Sequence, residues 1–306
     1  MKIAIWRTGH EIADTVADAL KAGLNGTIMY TEPSGTYLTE QISEFDAHIG
    51  YGILRGMDGV FRAAAQWGIP FFNVDRGYFN PGHFDGNYRI SCNGTQARWH
   101  QGVPRKPITG SSNGRTAGFG PANLGSSPSP VTIEPWRTGG DYVLVCPPTE
   151  PVCGFFGVDS IAWLRNAAHL ANGMGFEYKI RDKNGSEPLE KHLASAKALI
   201  TFNSSVGWKA LQMGIPVLSD PHHSLIGSYY KSQGIDILTQ NLHDLPDTRM
   251  EIMEAMNAHN FSLEQIRRGE AWGILKHYTA MLDGTAENPS PTMSASIQYG
   301  SARKQK

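Results

Sequence analysis

The chain has 306 residues, 40% of them hydrophobic and 18% charged, with a formal net charge of −1. This length favours about two domains, and the apolar share excludes an intrinsically disordered protein. The near-neutral charge excludes a global attraction to nucleic acid or to an anionic membrane, so such a partner would need a local basic patch. The cysteines, Cys92, Cys146 and Cys153, are too few and too irregularly spaced for a disulfide framework or a zinc site.

The N-terminal run MKIAIW contains neither a charged leader nor the apolar core of a signal peptide. A run of about 18 apolar residues, as needed to span a bilayer, occurs nowhere in the chain. We therefore expect a cytoplasmic protein with no membrane partner, a compartment that also fits the cysteine pattern.

Strands and helices alternate in the first part of the chain. Helical spacing of apolar residues predicts one helix after residue 11 and another from about 57 to 67. Short apolar runs bounded by turn residues predict strands at 2–6, 27–30, 47–50 and 69–74. This alternation is typical of a parallel α/β sheet.

A glycine-, serine- and proline-rich segment separates this part from a second α/β unit. The segment spans residues 94–134, has no apolar periodicity and is predicted to be a flexible loop. Beyond it, the pattern predicts strands at 142–146, 177–181, 198–202 and 216–219, and helices at 160–171, 245–258 and 263–281. We therefore predict two Rossmann-like domains that face a central cleft, at 1–134 and 135–283, and a disordered tail at 284–306.

The most informative segment runs from residue 198 to residue 220, where a strand, a polar turn, a helix, Gly-Ile-Pro and a second strand follow one another. Asn203, Ser204 and Ser205 occupy the turn. Their side chains can cap the helix and leave its first backbone N–H groups free for an anion such as a diphosphate. An ordinary helix cap in any α/β domain uses the same residue types, so both interpretations stay open.

Residues 196–221 resemble the C-terminal donor-binding segment of capsule-polysaccharide glycosyltransferases, in which an Asn-Ser-Ser turn, a helix and Gly-x-Pro-Val follow in sequence. The resemblance implies a GT-B fold whose second domain holds most of a nucleotide-sugar donor. It also implies catalysis by positioning, without a metal or another cofactor. Where such families commonly carry a glutamate within the helix, this chain has Lys209. Lys209 would instead pair with a phosphate or carboxylate of the donor, or be a solvated helix lysine.

Further candidate donor-binding residues follow the other strands of the second unit, because ligands of open α/β sheets bind at the carboxyl ends of the strands. Thr149, Gly154 and Gly157 follow its first strand, where a glycine would let a phosphate approach the backbone. Arg181 and Lys183 follow its second strand and are candidate counter-charges for a diphosphate.

Asp220, His222 and His223 follow the last strand of this unit. Adjacent histidines point in different directions, and no third ligand has a spacing that suits zinc. A hydrogen bond to a sugar hydroxyl or a phosphate is therefore favoured over metal coordination. A polar surface loop is the alternative.

The first domain contains two candidate catalytic bases. Several inverting GT-B enzymes place the general base in the loop after the first strand, so the resemblance implies His10. Asp75, at the end of a buried strand, is its competitor, although Arg76 would neutralise it. Polar and aromatic residues near the same edge are predicted to bind the acceptor: Tyr51, Arg76, Tyr88, Arg89, Asn93, Arg98 and Trp99.

Four stretches of the chain are similar to uncharacterised bacteriophage proteins. They are residues 75–79, 88–93, 135–137 and 261–272. Phage base glucosyltransferases share the GT-B architecture, so this likeness implies a hydroxymethylated base in phage DNA as a candidate acceptor, and the host cytoplasm as location. Basic and aromatic residues of the loop suit a nucleic acid, although a solvated linker has the same composition: Arg98, Arg105, Lys106, Arg115, Arg137, Trp99 and Trp136.

The sequence thus predicts a glycosyltransferase that moves a hexosyl or pentosyl group from a nucleotide sugar to a hydroxyl. One alternative is a sugar-nucleotide 2-epimerase, which uses the same paired domains. Another is a GT-B-fold protein that binds a nucleotide sugar or a nucleic acid without catalysis, an interpretation that the Lys209 departure keeps open.

Overall fold

The computed structural model describes residues 1–24, 27–31, 39–82, 84–98, 109–111, 116–118, 131–183, 185, 187–237, 240 and 247–284. The strands are β1 (Lys2–Trp6), β2 (Thr27–Thr31), β3 (Ala47–Tyr51), β4 (Phe71–Arg76), β5 (Asn87–Cys92), β6 (Thr109–Ser111), β7 (Thr116–Gly118), β8 (Val131–Thr132), β9 (Tyr142–Cys146), β10 (Tyr178–Ile180), β11 (Ala196–Thr201), β12 (Val217–Ser219) and β13 (Asn260–Ser262). The helices are α1 (Glu11–Gly23), α2 (Thr39–Ile42), α3 (Asp58–Gln66), α4 (Glu150–Phe156), α5 (Ser160–Gly173), α6 (Leu189–Ala194), α7 (Val206–Gln212), α8 (Leu225–Ser232), α9 (Arg249–Ala258), α10 (Leu263–Arg267) and α11 (Trp272–Gly284), with a 3₁₀ turn at Ile53–Arg55.

The first sheet has the strand order β13-β5-β4-β3-β1-β2. Strands β1 to β4 are parallel to one another, as the alternating pattern predicts. Strand β3 is buried along its whole length, which is typical of a parallel sheet covered by helices on both faces. Strand β5 runs antiparallel to β4, and β13 runs antiparallel to β5.

The second sheet has the order β10-β9-β11-β12, and its strand pairs are all parallel. A third sheet, β6-β7-β8, is antiparallel. It lies within residues 94–134, where the sequence predicts a flexible loop and no strands. Its strands are two or three residues long, too short to produce a periodic pattern. The predicted tail beyond residue 284 lies outside the described residues.

The closing segment returns to the first sheet, although the sequence places it with the second domain. Strand β13 pairs with β5, and α10 packs against α1. The single helix predicted at 263–281 is interrupted because Gly269 has φ +82°, a left-handed conformation that ends α10. Ser262 and Gln265 form a capping box that starts α10 directly after β13.

The two large sheets contact each other through loops that follow their strands. The Asn203 side-chain amide donates to the Thr95 hydroxyl over 3.2 Å. Gln96 bridges the same boundary, because its amide nitrogen donates to the Asn203 carbonyl and its amide oxygen accepts from the Leu225 backbone N–H. The loop after β5 is thereby tied to the loops after β11 and β12.

Aromatic contacts extend this boundary. The Phe155 ring of α4 lies 5.3 Å from the Phe61 ring of α3, and the Phe155 carbonyl accepts from Arg62 over 3.1 Å. Phe79, in the loop after β4, packs on Trp208 of α7 with 5.1 Å between ring centroids. Helices α4 and α7 each follow the carboxyl end of a strand, as does the Phe79 loop. The carboxyl edges of the two sheets therefore adjoin.

Two histidines are fully buried in the described core. The indole N–H of Trp6 donates to His48 Nδ1 over 3.1 Å, so His48 Nε2 carries the proton and faces the Ile42 carbonyl. His259 Nε2 lies 2.8 Å from the Tyr278 hydroxyl. Burial lowers the pKa of His48 to about 4 and that of His259 to about 4 as well, because a charged imidazole would lose its hydration there.

These low pKa values predict an acid-sensitive fold. Between pH 6.5 and pH 4 the unfolded chain binds protons that the folded chain does not, so the free energy of unfolding falls as the pH falls. The expected loss from pH 7.5 to pH 5 is roughly 1–2 kcal/mol for each histidine. Urea denaturation at several pH values measures it. His259→Gln should flatten the pH dependence, whereas substitution of the exposed His169 should leave it unchanged; equal slopes in all three proteins would contradict the prediction.

Candidate functional site

Asp75 is the centre of a charged cluster at the carboxyl edge of the first sheet. The antiparallel turn into β5 places Arg89 directly opposite Asp75. The Arg89 guanidinium donates to Asp75 Oδ2 over 2.9 Å, and Arg55 lies 3.7 Å from Oδ1. Oδ1 also accepts from the Arg76 backbone N–H over 2.8 Å. Both carboxylate oxygens are thus engaged within the protein, which favours a positioning role for Asp75 over that of a proton acceptor.

Tyr51 and Tyr88 form the floor of this cluster. Their rings meet edge to face at 6.3 Å, and the Arg55 guanidinium lies 5.5 Å from the Tyr51 ring. Burial raises the pKa of both tyrosines, which are therefore neutral donors at physiological pH.

We call Arg55, Arg76 and Arg89 the arginine cluster. The guanidinium groups of Arg55 and Arg89 contact the Asp75 carboxylate, and the charge of Arg76 acts on Tyr51 nearby, so the edge has an excess of positive charge. The sequence prediction missed Arg55, although a cation in the turn directly after β3, between Gly52 and Gly56, is a signal that would have found it.

His10 is exposed at the start of α1, where the loop after β1 ends. Its backbone N–H donates to the Thr8 hydroxyl over 3.4 Å. Within the part of the chain that the structure describes, no side chain orients its imidazole. The structure places it at the predicted edge, and its role as a base stays a prediction.

Asn93 lies at the opposite edge of the first sheet, which corrects its placement near Asp75. Because β5 runs antiparallel to β4, its last residue pairs near the start of β4, and Asn93 Oδ1 accepts from the Phe71 backbone N–H over 2.9 Å. Arg98 donates to the Asn93 carbonyl over 3.1 Å. It therefore contacts Asn93 and not the Asp75 carboxylate. Trp99 lies outside the described residues.

Asp220 organises the carboxyl edge of the second sheet. It is 4% exposed, and its Oδ1 accepts from the backbone N–H groups of His222 and His223 over 2.8 and 2.9 Å. The same oxygen lies 2.7 Å from His223 Nδ1. Nδ1 therefore carries the proton in the neutral ring, and Nε2 presents a lone pair. This pair is oriented in the manner of an acid–base dyad.

Aromatic rings hold His223 in place. Phe156 meets it edge to face at 4.5 Å, and Phe202 stacks on it at 5.3 Å. Its neighbour His222 places Nε2 at 3.5 Å from the Lys231 ammonium of α8. Burial lowers the pKa of His222, and the positive charges of Lys231 and Arg98 lower it further.

The Asn203-Ser204-Ser205 turn follows β11 at the same edge, as predicted, but its groups are partly used inside the protein. Asn203 holds the sheet boundary described above. The Ser204 hydroxyl accepts from the Val206 backbone N–H over 3.4 Å, and Ser205 precedes α7 without a side-chain cap. Lys209 lies in the last turn of α7, away from the strand ends.

Gly154 and Gly157, which follow β9, do not lie at the N-terminus of a helix. Helix α4 begins at Glu150, so Thr149 is its N-cap residue, Gly154 lies in its interior and Gly157 ends it at φ +66°. The prediction that Gly154 and Gly157 admit a phosphate at the start of the helix is therefore wrong in geometry. Pro151, at the second helical position, explains why the helix starts earlier than the glycines suggest.

Arg181 and Lys183 both follow β10. The Arg181 backbone N–H donates to the Val145 carbonyl, and its charge acts on the Cys146 thiol. Burial raises the pKa of Cys146 to about 11, and Arg181 partly opposes this rise. Arg181 thus lies at the carboxyl end of β9, next to the Asp220 edge, whereas Lys183 is exposed beyond it.

Two described members of the predicted nucleic-acid patch, Arg137 and Trp136, serve the fold. Arg137 donates to the carbonyls of Leu193 and Ala194 at the end of α6 and of Ala196 at the start of β11. Trp136 packs under the Arg249 guanidinium at 4.0 Å. Neither is presented to a base. Arg98 is the third described member, and Trp99, Arg105, Lys106 and Arg115 lie outside the described residues.

Across the described ranges, no group of three His, Cys, Asp or Glu side chains is arranged to hold a metal ion. The helices within those ranges are each too short or too polar to cross a bilayer.

Comparison with known proteins identifies no family. No family model matches the chain, and no curated protein matches it. A search of solved structures finds the beta Kdo 2,4 transferase KpsC of Thermosulfurimonas dismutans, at 11% sequence identity, with 71% of this chain and 79% of that chain covered and a TM-score of 0.36. A likeness this weak carries no conclusion about fold or function.

Proposed function

We propose that the adjoining carboxyl edges bind a nucleotide sugar and transfer its glycosyl group to a hydroxyl acceptor. The observation that carries this proposal is the Asp220–His223 pair. It lies at the carboxyl end of β12, where open α/β sheets bind ligands, and its Nε2 is not hydrogen-bonded within the described residues. The resemblance of residues 196–221 to a donor-binding segment supports the same function.

In this proposal His223 accepts the proton of the attacking hydroxyl. Asp220 holds the ring in the tautomer with a basic Nε2 and stabilises the imidazolium that forms, as carboxylates do in acid–base triads. The hydroxyl oxygen then bonds to the anomeric carbon while the bond to the donor phosphate breaks. The leaving group departs with the bonding electron pair, so nearby cations would stabilise it.

The arginine cluster is the part of the first sheet that we propose binds an anionic group of a substrate. Its excess positive charge suits an anionic part of the donor or of the acceptor. Tyr51 and Tyr88 are buried beneath it, so they support the cluster and do not contact a ligand directly. His10, exposed on the same edge, is the alternative base in this proposal.

Thermal-shift titration with UDP-, GDP-, CMP- and ADP-sugars tests donor binding first. A donor at about 100 times its dissociation constant is expected to stabilise the protein by about 2.7 kcal/mol. Hydroxyl acceptors, hydroxymethylated duplex DNA among them, then test transfer. Conversion of the sugar without any acceptor would indicate the epimerase instead. Stabilisation without turnover would indicate a binding protein. If no donor raises the melting temperature, the proposal is contradicted.

Replacement of His223 by glutamine tests the proposed base. We expect kcat to fall by about 10²-fold or more with little change in KM for the donor, because a general base acts in the chemical step. The dependence of kcat on pH should lose its acidic limb. His169→Gln, at an exposed position of helix α5, is the matched control and should retain wild-type kcat. A His223→Gln enzyme with wild-type kcat and pH profile would assign the base elsewhere, with His10 tested next.

A further inference from the structure

Arg98 is a partly buried charged side chain in the loop that joins the two sheets. It follows β5 and, among the described residues, donates from a terminal nitrogen to the Asn93 carbonyl over 3.1 Å. Its Nε is buried and has no hydrogen-bond partner in the described part of the chain. Burial lowers the pKa of Arg98, with the buried Cys92 and Tyr278 as its neighbours. Neither neighbour carries a charge that compensates the guanidinium.

A carboxylate partner is also missing. No Asp or Glu among the described side chains lies within ion-pair distance of Arg98. Residues 99–133, which follow it in the chain, contain neither Asp nor Glu. A largely desolvated charge without a counter-charge is destabilising, and a bound anion would supply the opposite charge.

One further positive charge, that of Lys231, lies near Arg98. Gln96, two residues earlier, accepts from the Leu225 backbone N–H, which holds this loop against the turn that contains His222. His222 interacts electrostatically with Arg98 and places Nε2 at 3.5 Å from the Lys231 ammonium. Oδ1 of Asp220, the acidic group of that turn, already accepts from His223 and two backbone N–H groups.

We propose that Arg98, His222 and Lys231 form a phosphate-binding site at the junction of the two sheets. Arg98 comes from the first sheet and the other two residues from the second. The occupant is a phosphate or diphosphate group. If the proposed function is correct, this group is the phosphate of the nucleotide-sugar donor. That phosphate is part of the leaving group, and His223, in the same turn as His222, would lie on the other side of the transferred sugar.

Titration calorimetry with inorganic phosphate and with pyrophosphate tests the site without any sugar. The wild-type protein is expected to bind pyrophosphate. Lys231→Gln removes one exposed cation and should raise the dissociation constant about 5- to 10-fold, while Arg98→Met should raise it 10-fold or more. Arg165→Gln, which removes an exposed cation of α5, is the matched control and should bind as the wild type does.

Arg98→Met carries a second readout that a purely structural arginine would not produce. In phosphate-free buffer its melting temperature should equal or exceed that of the wild type, because an apolar side chain of similar length replaces a partly buried charge without a described carboxylate partner. Added pyrophosphate should raise the wild-type melting temperature and leave that of Arg98→Met unchanged. If Arg98→Met does not fold, the pyrophosphate affinity of Lys231→Gln alone tests the site.

The outcomes separate this inference from the proposed function. If both variants lose pyrophosphate binding, the phosphate site is supported. If the wild-type protein also turns over no nucleotide sugar, the proposed function is contradicted. Glycosyl transfer with unchanged donor KM in both variants supports the function and removes the site. Wild-type pyrophosphate affinity in Lys231→Gln and Arg98→Met overturns the inference, as does a wild-type protein that binds no phosphate at all.

Discussion

Replacement of Arg249 by methionine is expected to lower the free energy of unfolding by about 3–5 kcal/mol. Arg249 is 2% exposed and forms a two-point ion pair with Asp247, at 2.9 and 2.8 Å. It also donates to the carbonyls of Glu134 and Leu211, over 2.7 and 3.0 Å, and packs on the Trp136 ring. The substitution would remove the positive charge that pairs with the Asp247 carboxylate and the N–H groups that donate to both carbonyls, in a largely buried site.

Urea denaturation of Arg249→Met and of a matched surface variant measures this effect. Arg267 on α10 is the control, because it pairs with Glu264 over 3.9 Å and both side chains are about half exposed. Its substitution by methionine should cost less than about 1 kcal/mol. Similar losses in the two variants would show that the Arg249 contacts do not hold residues 133–137 against the second sheet.

Asp75→Asn is expected to be the most damaging substitution at the first-sheet edge. Arg89 is 11% exposed at its side chain, so removal of the opposing charge leaves a nearly buried guanidinium without compensation. We expect a loss of about 2 kcal/mol in the free energy of unfolding, less than for Arg249 because Asp75 is 24% exposed. Arg55→Gln should have a small effect, since Arg55 is 51% exposed.

A double-mutant cycle sharpens this test. If the Asp75–Arg89 contact is responsible, Asp75→Asn combined with Arg89→Gln should cost clearly less than the sum of the two single substitutions. The donor and acceptor KM values of the same variants report whether the arginine cluster also holds an anion. Additive losses in the cycle would mean that Asp75 acts through other contacts.

The alternation of strand and helix, and the residues at the parallel strand ends, could be predicted from the sequence. Apolar periodicity is a local property, and it located β1, β3, β9 and β11 to within a residue or two. The carboxyl ends of parallel strands meet at one edge, so Asp75 and Asp220 were predicted at sheet edges without knowledge of the strand order.

Strand direction and partners were decided by the tertiary structure. The antiparallel direction of β5 brings Arg89 to Asp75 and carries Asn93 to the far edge, and no local pattern distinguishes this from a parallel strand. The return of β13 to the first sheet depends on pairing with a strand that is distant in sequence.

The site residues also differ in whether the sequence or the tertiary structure determines their role. Residue types such as Asp220 and His223 are visible in the sequence, but the hydrogen bond that orients the ring depends on the turn between β12 and α8. Trp136 and Arg137 are ligand candidates in the sequence, but in the structure they stabilise the fold. Arg98 is a partly buried cation without a described carboxylate partner. Periodicity is set by neighbours along the chain, and burial and charge compensation are set by residues that only folding brings together.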